Sequence, residues 1–166
     1  MKRIIFAFVC VWLTVSLVAC SMGSGRSAED ILYEICNDME LPAGSTYLSA
    51  AEEGSEKYLS DHLIESLYGK KAKEENFSLI EDYAIYLSSF VAPYEVAIFK
   101  CFSSSDTDTG ASMCLQRADV LAVVLRDTGF SYLSERVNVT VRGHFVVMLV
   151  AEDIDLAEEV VLKVIG

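Results

Sequence analysis

The chain has 166 residues, 52% of them hydrophobic, and its 25 Asp and Glu outnumber 13 Lys and Arg for a formal net charge of −12. That length suits one domain with a real core. The acid excess argues against a nucleic-acid partner and against charge-driven binding to anionic lipid, since both attract basic patches.

Lys2 and Arg3 precede an apolar run over residues 4–18. A basic start with an apolar stretch of roughly 7–15 residues is the secretory pattern, and it is too short to make a good spanning helix. Leu17-Val18-Ala19-Cys20 closes the run and resembles the lipobox of bacterial lipoproteins. The resemblance implies cleavage after Leu17, Val18 and Ala19, and a Cys20 thiol carrying a diacylglycerol thioether and further acyl chains such as palmitate. Two or more chains hold a protein stably at a membrane. The expected division is a signal peptide over residues 1–19, a flexible tether over 20–26 and a single domain over 27–166. Losing Lys2 and Arg3 leaves 11 basic residues against 25 acidic ones, a formal charge near −14. Ser21-Met22-Gly23-Ser24-Gly25-Arg26 is small and Gly/Ser-rich, as a tether should be.

Ser27 is placed to cap a helix at the backbone N–H of Asp30, and Ala28, Ile31, Leu32, Ile35, Cys36 and Met39 then recur on one helical face. Pro42 should stop it. Residues 44–56 show no period and read as loop. Ser60 caps a second, shorter helix that ends at Gly69, with His62 in its exposed first turn. The charged stretch Lys70-Lys71-Ala72-Lys73-Glu74-Glu75 reads as a linker.

Residues 80–102 carry the densest pattern. Glu81-Asp82-Tyr83-Ala84-Ile85-Tyr86-Leu87-Ser88 and Tyr94-Glu95-Val96-Ala97-Ile98-Phe99-Lys100-Cys101-Phe102 are rich in strand formers and flank a break containing Pro93, so they read as a hairpin. Tyr83, Ile85 and Leu87 share one face, expected to meet Val96 and Ile98 beneath the helices. That would leave Tyr86 and Phe99 on the opposite face as a candidate binding surface, unless the N-terminal helix covers it.

Glu81-Asp82-Tyr83-Ala84-Ile85-Tyr86 and Glu95-Val96-Ala97-Ile98-Phe99-Lys100 together resemble the paired strands of a family of small Gram-positive lipoproteins classed as a domain of unknown function. The resemblance runs from the second helix to the C-terminus. It implies an α+β fold and membrane anchoring, and it implies no catalytic residue. Cys101, Cys114 and the longer connection after the second strand depart from the family pattern.

In that connection Asp106, Asp108 and Gly110 alternate as in a calcium loop, but the glycine falls one place early and Arg117 stands where a bidentate glutamate is needed. A helix-capping loop explains the residues better. Met113, Arg117, Leu121, Val124 and Leu125, supported by Leu115, Ala118 and Val120, predict a crossover helix stopping near Thr128-Gly129. Val137, Val139 and Val141 alternate with Asn138, Thr140 and Arg142, Arg142-Gly143 turns the chain, and Phe145-Val146-Val147-Met148-Leu149-Val150 returns as a central strand. Glu152-Asp153-Ile154-Asp155 reads as a capping loop before a last helix striped by Leu156, Val160, Val161 and Val164.

The expected fold is α+β: N-terminal helices followed by a ββαββα unit, with four strands in one mainly antiparallel sheet and helices packed on it. Cys36, Cys101 and Cys114 lie in apolar contexts without metal-ligand spacing, which reads as buried free thiols, with one disulfide as the alternative. Asn76-Phe77-Ser78 and Asn138-Val139-Thr140 match glycan acceptors only in form. No metal or cofactor motif is present, and no GxSxG elbow, HExxH helix or Gly-rich phosphate loop. The expectation is a non-catalytic module at the extracytoplasmic face of the cell membrane, held through lipidated Cys20 and meeting an envelope protein or cell-wall component. The alternative is a small extracytoplasmic hydrolase using carboxylates and His144.

Overall fold

A computed structural model describes residues 25–89, 93–126 and 128–166. Its elements are α1 (Ala28–Asp38), β1 (Gly44–Leu48), α2 (Asp61–Tyr68), the single turn α3 (Ala72–Glu75), β2 (Ile80–Ser88), β3 (Glu95–Cys101), α4 (Thr107–Leu125), β4 (Val137–Arg142), β5 (Phe145–Val150) and α5 (Ile154–Ile165). Short 3-10 turns at Phe77–Leu79 and Ser131–Glu135 lead into β2 and β4. The strands form one antiparallel sheet in the order β1-β2-β3-β5-β4. The α+β architecture stands, but the sheet has five strands, not four. The addition is β1, which comes from the stretch read as loop.

Local chemistry sets most boundaries. The Ser27 hydroxyl accepts from Asp30 N at 3.1 Å, Ser60 from Leu63 N at 3.3 Å, and Asp153 from Leu156 N at 3.0 Å. These caps start α1, α2 and α5 by satisfying amides that the first turn leaves free. Gly69 follows α2 at φ +97°, and Gly143 turns β4 into β5 at φ +60°.

The apolar strands explain the layers. β3 and β5 are buried almost end to end, so both sheet faces need a cover. On one face α2, α4 and the 3-10 turn before β2 pack over Ile85, Ala97, Phe99, Cys101, Val146 and Met148. On the other, α1 and α5 pack over Ala84, Tyr86, Val96, Ile98, Val147 and Leu149. Helices thus enclose the sheet from both sides. The Asp82 carboxylate fastens α1 to it, accepting from Ala28 N at 2.7 Å and from the Ser49 hydroxyl. Arg26, assigned to the tether, instead reaches the α5 carbonyl of Val164 at 2.7 Å and pairs with Glu34.

Candidate functional site

Leu17, Val18, Ala19 and Cys20 lie outside the described residues. The other sequence candidates are placed, and the aromatic surface does not survive. Tyr86 opposes Val96 and lies beneath α1, 5% exposed, with its hydroxyl donating to Pro42 O. Phe99 opposes Tyr83 and meets the rings of Tyr68 in α2 and Phe77 edge-on, fully buried. The expected pairing of Tyr83, Ile85 and Leu87 with Val96 and Ile98 is off by one residue, and a slip of one exchanges the faces. Each ring belongs to a different core.

His62 sits in the exposed first turn of α2. His144 sits at the β4–β5 turn, its Nδ1 3.3 Å from Cys101 O, and meets no carboxylate among the described residues. Asp106 accepts from the amide and hydroxyl of Ser103, while Asp108 and Gly110 lie inside α4. The alternation that resembles an ion loop is therefore a turn followed by helix. Gly110 touches the sheet there: a Cβ on it would stand 3.2 Å from Val146 Cγ2. Cys36, Cys101 and Cys114 are free thiols, the last two buried. Burial pushes Cys36 up to about 11 and raises Cys101 and Cys114 as well, so all three stay protonated at neutral pH.

One polar group was missed from sequence. Glu95, at the start of β3 and 2% exposed, accepts from Arg117 Nε at 3.1 Å on both oxygens and from Nη2 at 2.8 Å. Burial works against the Arg117 charge, but the Glu95 hydrogen bond and charge raise its affinity for the proton overall. Tyr68 of α2 comes close, and its buried hydroxyl finds no hydrogen-bond partner among the described residues. Burial, reinforced by Glu95 and Cys114, pushes the phenol well above its ordinary value. A lone acid opening an apolar strand and a lone arginine on the Met113–Leu121 stripe were the signal for this pair. Its chemistry is closed: the charges satisfy each other, and the neighbouring thiol and phenol are protonated. It fastens α4 to the sheet.

What remains accessible is surface. Val120, Val123 and Val124, at spacing i, i+3 and i+4, are 43%, 61% and 62% exposed, and Leu115 is 56% exposed. Val120, Val124 and Leu115, which the sequence places in the apolar pattern of this helix, thus lie outside its buried face. The second accessible feature is β4, an edge strand with Val141 46% exposed. Among the described residues no group of three or more His, Cys, Asp or Glu could hold a metal ion, and no helix is long and apolar enough to cross a membrane. No family model matches the chain, and no curated protein or solved structure matches it either.

Proposed function

We propose that this chain is a lipid-anchored extracytoplasmic protein whose folded domain works by binding an envelope component. The observation that carries the reading is Leu17-Val18-Ala19-Cys20 at the end of the apolar run, followed at once by small polar residues. Cys20 becomes the acylated N-terminus, joined to the domain through the short Gly/Ser-rich sequence Ser21-Met22-Gly23-Ser24-Gly25. The likeness of the β2 and β3 sequences to small Gram-positive lipoproteins supports the same reading. A binding role is supported by the exposed valines of α4, since an apolar patch kept in water marks a contact surface. The most enzyme-like groups form no open site: Glu95 is buried and paired with the largely buried Arg117, and Tyr68 and Cys114 are buried with their pKa values raised.

Two measurements test it. Mass spectrometry of the mature N-terminus should find an acylated Cys20, and Cys20→Ala should move the protein out of the membrane fraction. A photo-crosslinker at Val123 should capture an envelope component in intact cells. A freely released wild type with no acyl mass would refute the anchor, and an uncrosslinked Val123 would refute the α4 contact surface.

A further inference from the structure

The two edges of the sheet are treated differently. On β1 the bond from Ser49 N to Tyr83 O (3.0 Å) sets the alternation, so residues 45 and 47 turn to β2 while 44, 46 and 48 turn outward. That edge is partly closed, because Leu48 N donates to Lys57 O at 3.0 Å from the following loop. On the other side the bond from Cys101 N to His144 O (2.8 Å) fixes the even residues of β5 toward β3. Phe145, Val147 and Leu149 therefore bond to β4, through Arg142, Thr140 and Asn138. Val137, Val139 and Val141 turn their N–H and C=O groups outward, and no described residue bonds to them.

Natural sheets blunt such an edge with proline, charged side chains or a bulge. β4 has no proline or bulge, its register with β5 runs unbroken from Val137 to Arg142, and its single charge, Arg142, stands at its end rather than among the outward valines. Its charge is also unlike the rest of the chain. From residue 136 to 144 there are Arg136, Arg142 and His144 and no carboxylate, in a chain of net charge −12. Arg142 is exposed and meets no carboxylate among the described residues.

We propose that β4 is a strand-addition site for an extended acidic segment of an envelope protein, bonded through Val137, Val139 and Val141 with a carboxylate opposite Arg142. This rests on the binding reading above and names the partner's chemistry. Main-chain bonds give affinity in this mode, and alternate side chains give selectivity. Charge disfavours a second copy as the occupant. The antiparallel self-pairing that keeps all three outward valines bonded centres on Val139, which sets Arg136 against Arg142, and like charges directly opposed destabilise a pair.

The test uses the full-length protein in detergent and two seven-residue peptides of alternating threonine and valine, one ending in glutamate at both ends and one in lysine. The acidic peptide should bind about tenfold tighter at low salt, converging with the basic one as salt rises. Its binding should shift the amides of residues 137–142. Val141→Pro removes an outward N–H that β5 does not use, so it should abolish binding while leaving the thermal transition in place. Arg142→Glu should reverse the peptide preference, a readout that does not depend on how the proline variant folds. Equal binding of both peptides, binding that survives Val141→Pro, or a dimer that Val141→Pro dissociates would overturn the proposal. If neither peptide binds while Val123 still crosslinks in cells, strand addition fails and the binding reading stands.

Discussion

Glu95 and Arg117 bury a full pair of charges between β3 and α4. Such a pair contributes little net stability when intact, because desolvation offsets attraction, but losing one partner strands the other. Arg117→Met should cost about 3–5 kcal/mol in denaturant unfolding, whereas Glu95→Leu with Arg117→Met should recover most of it. A double variant as weak as the single one would mean that the site needs its charges. Cys36 supplies a pH dependence. Its thiol, near 9 in the unfolded chain, is held up to about 11 in the fold by burial. Between those values the unfolded chain gives up a proton that the folded one keeps, so stability falls as pH rises from about 9 to about 11. Cys101, Cys114 and Tyr68 shift the same way. Unfolding at pH 8 and pH 10.5 should therefore show an alkaline loss that Cys36→Ala reduces but does not remove.

At the scale of elements, the sequence concealed the strand β1 and the single helical turn α3, which lies in the charged stretch read as a linker. Gly44-Ser45-Thr46-Tyr47-Leu48 has two weak strand formers and buries only Leu48, so it joins the sheet through the β2 edge rather than through an apolar pattern of its own. Gly44 is required there. A Cβ would lie 2.4 Å from Leu87 O and 2.9 Å from Ser88 Cα, both backbone atoms. Gly44→Ala should destabilise the domain by about 1–3 kcal/mol as the strand shifts to relieve the overlap, read as a lowered thermal midpoint. Helices were legible because their signals are local: Ser27, Ser60 and Gly69 lie within four residues of the boundaries they mark. Strand register is not local. Whether Val96 meets Tyr83 or Tyr86 depends on how many residues the turn spends, and this is why the proposed Tyr86 and Phe99 surface dissolved into two separate cores. The two-sided apolar character of residues 81–102 was visible, and α1 with α5 supplies the second cover that it demanded.

For the molecule as a whole, the order β1-β2-β3-β5-β4 places β3 and β5 inside, with a core on each face, and leaves β4 with one neighbour. Val96, Ala97, Ile98 and Phe99, like Val146, Val147, Met148 and Leu149, are fully buried. Their amides are released only when the whole fold opens, so hydrogen exchange there should report the global unfolding free energy. β4 should instead alternate along its length. Asn138, Thr140 and Arg142 are bonded to β5, whereas Val137, Val139 and Val141 face outward. In the isolated protein the Val139 amide should exchange orders of magnitude faster than the neighbouring Thr140 amide, although both sit in the middle of one strand. Adding the acidic peptide should slow Val139 and leave Thr140 unchanged. A Val139 amide already as protected as Thr140 without any peptide would mean that this edge is covered within the protein itself, and the open row of donors on which strand addition depends would not exist.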